Sequence, residues 1–342
     1  MSTPTTGSST EASPTPPSED HPEEQTKHGP SGQAALLRQI ASSPAVVGLL
    51  AVLTALILSS ILILAADSEV RYTATYLLNR PGDFLHATAS TLSEAYSSLL
   101  RGAVFDWRAT TGVRMIRPIT DTLTNATPLI IAGLGMAVAF RAGLFNIGGQ
   151  GQMILGAITA RYVGIAWNLP PVAHLLVAVV GAGLGGLVWG GIAGVLKART
   201  GANEVIVTIM LNSIAAHLLS QVLSLKAFNG EGETGNRKSL TVADTAQYPW
   251  LAGDSFRLHA GFLLALLVAV AVWWLMERSR LGFQLRATGL NADAARTAGM
   301  SVPWVTSLVM MISGALCGLA ATAPVLGTQK SMDESVVGTI GF

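Results

Sequence analysis

VAHLLVAVVGAGLGGLVWGGIAGVL, residues 172–196, runs for 25 positions without an Asp, Glu, Lys or Arg. A helix needs about 20 such residues to cross a bilayer. Within the run, glycines recur at i, i+4, as Gly181/Gly185, Gly186/Gly190 and Gly190/Gly194. Small residues so spaced let helix backbones approach closely, so the stripe reads as a packing face and not as a binding site. Working outward, six further apolar stretches of comparable length follow the same logic. They are Pro44–Leu64, Thr120–Phe140, Gln150–Trp167, Val205–Leu225, His259–Met276 and Pro303–Ala323. Trp167, Trp273, Trp274 and Trp304 fall near the ends of these stretches, where interfacial aromatics belong. The expected fold is an all-α polytopic membrane protein of about seven transmembrane helices.

Composition agrees. Half of the 342 residues are apolar, 12% are charged and 36 are Gly, whereas soluble domains carry about 25% charged residues. A formal net charge of +1 argues against a nucleic-acid partner, which would call for a basic stripe. The single Cys317 excludes an intrachain disulfide and a thiolate zinc site. No cofactor or metal is expected. Residues 1–43 are rich in Ser, Thr, Pro and Glu and are expected to be a disordered tail. They are too long and too acidic for the n-region of a signal peptide. Residues 44–342 form the transmembrane domain. Between its first two spans lies a long segment, Asp67–Ile119, in which Leu85–Val104 has the amphipathic spacing of a surface-lying helix.

Lys and Arg in short loops set orientation. Asn168–Pro171 carries neither, whereas Arg141, Lys197, Arg199, Arg278, Arg280, Arg286 and Arg296 flank the other turns. Alternation then places the N-terminal tail and the 277–302 loop in the cytoplasm. The segments 67–119, 168–171 and 226–258 face outward. The arginines of 67–119 dissent, in a segment long enough for the rule to be weak.

Two segments put polar groups where they are expensive. Gly143-Leu-Phe-Asn-Ile-Gly-Gly-Gln-Gly-Gln152 has Gly at 143, 148, 149 and 151, which disfavours a continuous helix. Irregular backbone at membrane depth persists only when buried in protein or lining a wet cavity. Its Asn146, Gln150 and Gln152 are uncharged donors and acceptors suited to a neutral polar solute. The second segment opens a span with Asn203 and Glu204 and carries Thr208 and Asn212 deeper in. Each residue alone fits interhelical hydrogen bonding equally well. The two clusters together favour a translocation path. His174, His217 and His259 are isolated and are given no role.

These residues carry a family resemblance. Residues 143–152 resemble the GLFNIGxEGQ signature of ATP-driven (ABC) importer permeases of the branched-chain amino acid, ribose and nucleoside superfamily. Asn-Glu-Val-Ile-Val-Thr-Ile-Met-Leu-Asn at 203–212 resembles the NEVIxTIMLN stretch of its nucleoside and simple-sugar branch. Gly282–Met300 is similar to that branch's cytoplasmic loop. In that loop Asn291 can cap a short helix through Ala292–Ala298, with Gly299 stopping it. The resemblance makes this the coupling helix received by a cytoplasmic ATPase subunit, with Arg286, Gly289, Asn291, Ala294, Ala295, Arg296 and Gly299 as the coupling residues. It further implies an extracytoplasmic solute-binding protein, a second permease chain, identical or homologous, and residence among the lipids of a bacterial plasma membrane. No G-x-x-x-x-G-K-[ST] loop is present, so ATP hydrolysis is expected on a separate chain and this one is not itself an enzyme. A nucleoside is the expected solute, with a ribose-type sugar as the alternative.

Two departures stand out. Gln150 replaces the usual Glu of the signature, removing a charge. Related permeases continue past a Gly-Phe such as Gly341-Phe342, so a C-terminally incomplete chain is expected. An ion-coupled carrier would bring more ionisable groups into its spans than Glu204 and Asp121. An intramembrane enzyme would need a motif such as H-E-x-x-H, which is absent.

Overall fold

A computed structural model describes residues 43–229 and 239–333. The expected tail and the chain's final residues lie outside them. The chain divides between residues 95 and 96 into two compact units. In the first, α1 (Pro44–Ala66) opens with the Ser43 hydroxyl accepting from Val46 N–H. It is apolar all round, as suits a helix in lipid. Asp67 ends it and caps α2 (Ser68–Ala74), its Oδ1 accepting from Glu69 and Val70 N–H at 2.9 Å. The amphipathic stretch is helix α3 (Pro81–Ala103), which crosses the division.

The second unit is a helical bundle of α4 (Gly112–Arg141), α5 (Gly149–Ala166), α6 (Pro171–Thr200), α7 (Glu204–Leu223), α9 (Gly261–Arg278) and α12 (Val302–Ala320). Short helices α8 (Lys226–Asn229), α10 (Arg280–Leu290) and α11 (Ala292–Thr297) join them, and a π-helical turn, Ala323–Thr328, extends α12. The glycine stripes of α6 serve two different neighbours. A Cβ at Gly185 would sit 2.6 Å from Thr159 Oγ1 and 2.7 Å from Leu155 O of α5. One at Gly194 would sit 2.9 Å from Ser307 O of α12, and Gly186 and Gly190 press as closely on Gly314 and Met310 carbonyls. Helix α12 answers with its own Gly314 and Gly318, the latter also 2.5 Å from a Cβ placed on Gly156 of α5. The three helices therefore meet backbone to backbone.

Among the described residues six helices are long and apolar enough to cross a membrane: Val46–Ala66, Gly112–Arg141, Pro171–Thr200, Glu204–Leu223, Gly261–Arg278 and Val302–Thr328. The chain is a polytopic membrane protein. The seventh expected stretch, now α5, differs for a physical reason. It carries Gln150, Gln152 and Arg161 and is wrapped by α6, α7 and α12. A helix shielded by protein has no need to be apolar on every side.

The two ends of the bundle are built differently. At one end Arg141 lies 3.6 Å from Glu277, and Arg286 pairs with the same carboxylate at 3.1 Å while donating to Met276 O. At the other, His174 contacts Thr245 Oγ1 at 2.7 Å and Val163 O at 3.0 Å. There the 239–260 loop is tied by Ala243 N–H to Gly164 O, Val242 N–H to Lys330 O and Tyr248 N–H to Leu326 O. The basic loops and the uncharged 168–171 turn thus fall at opposite ends, as the alternation of spans demands.

Candidate functional site

Between α4 and α5 the chain turns back into the bundle. Gly143 adopts φ +74, a left-handed conformation that glycine takes at no steric cost. Leu144 N–H still donates to Ala139 O and Gly148 O still accepts from Gln152 N–H, and buried side-chain amides answer Ile147 O and Gly148 N–H between them. Asn146 Nδ2 donates to Gln152 Oε1 at 2.9 Å and to Ser313 Oγ of α12 at 2.7 Å. Its Oδ1 accepts from Gly148 N–H and from Gln152 Nε2, both at 3.0 Å. Two donors and two lone pairs are all used, the full capacity of an amide side chain. From α7, Asn212 Oδ1 accepts from Gly151 N–H at 2.8 Å and its Nδ2 donates to Ile147 O at 2.9 Å. Asn146 and Gln152 are each 1% exposed. Asn146 is saturated, while the Trp189 Nε1–H close to Gly151 is left without a partner.

The neighbouring polar residues close its inner edge. Thr208 is buried and donates to Glu204 O at 2.7 Å. A Cβ on Gly148 would sit 3.0 Å from Thr208 Cβ, so glycine there allows the contact. Asn203 caps α7, its Oδ1 accepting from Val205 N–H at 2.9 Å. Glu204 meets Lys197 Nζ at 2.8 Å. Gln150 is half-buried and takes no part in the amide network. Five of the seven residues singled out from sequence therefore gather about one junction through contacts of known geometry, with Asn203 and Gln150 at its margin.

The second candidate region adjoins it. The Asn291 side chain accepts from Asp293 and Ala294 N–H at 3.0 Å and starts α11, which stops before Gly299 at φ +83. Ala295 is 3% exposed and anchors the turn, whereas Ala294, Arg296 and Gly299 face outward, Arg296 beside Asp293 at 2.9 Å. A Cβ on Gly289 would sit 2.5 Å from Arg141 O, so the α10 end lies directly on the α4–α5 turn. Arg286 is tied to α9, as described above. Two residues escaped the sequence reading. Glu277 joins Arg141 to Arg286 across the chain, and Leu290, at the tip between α10 and α11, is 88% exposed.

At the opposite end a cavity of about 590 Å³ opens between α4, the 239–260 loop and the segment after the π-helical turn. Asp121, Asn125, Trp250, Asp254, Phe256 and Gln329 line it. Of the residues chosen above as path or coupling groups, none lines it. The loop beneath is set by an antiparallel bridge between Trp250 and His259, and His259 stacks on Tyr248 at 5.3 Å. Burial pushes the Tyr248 phenol up to about 12, against a hydrogen bond to Thr322 that lowers it. It therefore stays a neutral donor, 2.9 Å from Thr322 Oγ1.

A bundle of long apolar helices, a polar turn held inside it and a short capped helix at one end describe a polytopic membrane protein. Residues 119–340 match the family model described as branched-chain amino acid transport system / permease component, and the chain belongs to that family. It is similar to the guanosine ABC transporter permease protein of Bacillus subtilis, 42% identical over 212 residues, or 61% of this chain and 60% of that protein. Similarity extends to the glucose ABC transporter permease protein of Haloferax volcanii, 37% identical over 234 residues, 66% of this chain and 61% of that one. The nucleoside ABC transporter permease protein NupB of Lactococcus lactis is 33% identical over 236 residues, 66% of this chain and 64% of that one. The chain thus spans between 60% and 64% of the length of these curated relatives. No solved structure gives a significant match.

Proposed function

We propose that the chain is the membrane-spanning permease subunit of an ATP-driven importer and that its solute is a nucleoside. The observation that carries this reading is the family match over 119–340, joined to 42% identity with a permease named for guanosine. In this reading α5 is a seventh crossing held inside the bundle, the Arg141/Glu277/Arg286 end is cytoplasmic, and the 239–260 end faces out. The re-entrant turn and the start of α7, with Asn146, Gln150, Gln152, Asn203, Glu204, Thr208 and Asn212, border the solute path. Contact between Gly289 and the α4–α5 turn makes movement of α10–α11 mechanically continuous with that path.

An ATPase subunit binds the exposed face of α11, a solute-binding protein docks outside, and a second permease chain completes the assembly. ATP favours the state to which closure of its subunits is coupled. Release of the solute requires a lower affinity for the solute in one state than in the other, since a ligand biases two states only by differential affinity. A simple sugar is the second reading, supported by the glucose-named relative.

The test is co-purification from mild detergent, with substitutions that spare the fold. Leu290→Asp and Ala294→Asp change exposed positions, whereas Arg286 and Ala295 are tied into the structure. An ATPase that accompanies the unaltered chain and is lost from both variants supports the reading. Uptake of guanosine that glucose does not compete for supports the solute. Recovery of no ATPase with the unaltered, correctly inserted chain would sink the importer reading.

A further inference from the structure

The cavity between α4 and the 239–260 loop has a carboxylate in its wall. Asp121 Oδ1 is buried and has no hydrogen-bond partner, while its Oδ2 stands 3.6 Å from Arg117 Nε. The Asp121 side chain as a whole is 36% exposed. It lines a cavity of about 590 Å³, well within the roughly 300–1,000 Å³ of small-molecule sites. The rest of the lining is mixed in a particular way. Asp121 and Asp254 are balanced by Arg117 and Arg257, so the site has no net charge to attract an ion. Asn125 and Gln329 bring amides that both donate and accept. Trp250 and Phe256 bring ring surface, and the Trp250 ring is held by Lys330 Nζ at 5.1 Å and by the edge of His259 at 6.4 Å.

We propose that this cavity is a solute subsite on the outer side of the permease, taking a neutral ligand with a flat ring and vicinal hydroxyls, a nucleoside. The proposal rests on the importer reading and on the outward placement of the 239–260 loop. The accessible part of the Asp121 carboxylate accepts from a ribose hydroxyl. The base lies against the aromatic wall, and the amides of Asn125 and Gln329 meet its edge. A sugar without a base would fill the carboxylate end only and leave the rings bare. An anion would meet two carboxylates, and a cation two guanidinium groups.

Cysteine labelling separates this proposal from the reading it rests on. Cys317 is the only cysteine and is buried, so Ser255→Cys, at an exposed lining position, provides a single reactive thiol. Intact cells carrying the complete transporter are treated with a membrane-impermeant maleimide, with and without millimolar guanosine or glucose. The rate without solute reports that each variant is folded and inserted. Guanosine is expected to slow labelling several-fold, glucose to leave it unchanged, and Asp121→Asn or Phe256→Ala in the same background to remove the protection. Labelling unaffected by guanosine in cells that accumulate guanosine would overturn the subsite and leave the importer reading standing. Protection by glucose but not guanosine would overturn the nucleoside assignment. Protection by guanosine in cells that do not accumulate it would uphold the cavity and count against nucleoside import.

Discussion

The bundle holds two polar regions that differ in one respect. At the α4–α5 turn, Asn146, Gln152, Ser313 and Asn212 spend their hydrogen-bonding capacity on one another and on the main chain of a turn that lacks a helix. In the cavity under the 239–260 loop, Asp121 leaves an oxygen unused. Polarity inside a membrane protein is therefore not by itself a sign of a binding group. What distinguishes the two is that Asn146, Gln152 and Asn212 answer one another and the main chain, whereas Asp121 lines a cavity. The first region holds a turn inside the bundle, and the second borders a cavity with room for a ligand.

The largest effect is expected from Asn146→Ala. It removes four hydrogen bonds at once and orphans Gly148 N–H beside the buried Gln152 amide. At about 0.6 kcal/mol per interhelical bond in membrane proteins, rising to roughly 1–3 kcal/mol for a buried group left without a partner, the loss is about 2–4 kcal/mol. Thermal unfolding of the purified chain in detergent measures it, and an unchanged midpoint would mean the amide network carries no weight. Gly186→Ala comes next, because the new methyl meets backbone atoms of Gly314 and Gly318 that cannot move aside. Overpacking of this kind costs about 1–3 kcal/mol, and the same unfolding measurement detects it.

Ser313→Ala takes only one bond from Asn146 and is expected to cost about 0.6 kcal/mol. Gln150→Glu introduces a carboxylate at the second residue of α5. Because Gln150 is outside the network and half-buried, it is expected to change stability by less than about 0.5 kcal/mol. A larger loss in the unfolding scan would show that the position is packed more tightly than its exposure suggests.

Much of this was legible in residues, and the rest failed for identifiable reasons. The glycine spacing of α6 announced close packing, and the structure adds that Gly185 and Gly186 face different helices. Asn291 and Gly299 bracket α11 as local rules require, since capping and a positive φ depend on neighbours in sequence. The Gln150–Trp167 stretch was expected among the spans, and in the structure its α5 packs against helices that come later in the chain, which apolar length alone does not reveal. The 143–152 and 203–212 clusters were visible, yet their mutual bonding, Gly151 to Asn212 above all, is set by tertiary placement. The Glu277–Arg141 pairing, the His174–Thr245 contact and the Asp121 cavity arise the same way, from segments tens of residues or more apart. Asp121 drew notice as an ionisable group near a span end, but nothing nearby in sequence signals the loop that encloses it.

One measurement bears on the contrast most directly: the unfolding midpoint of the purified assembly with and without guanosine, in Ser313→Ala and Asp121→Asn. A ligand that binds only the folded state raises the midpoint in proportion to its occupancy. The account predicts that Ser313→Ala lowers the midpoint slightly and keeps the guanosine shift, while Asp121→Asn keeps the midpoint and loses the shift. The reverse pattern, with the shift lost on altering the amide network and intact without the Asp121 carboxylate, would contradict it.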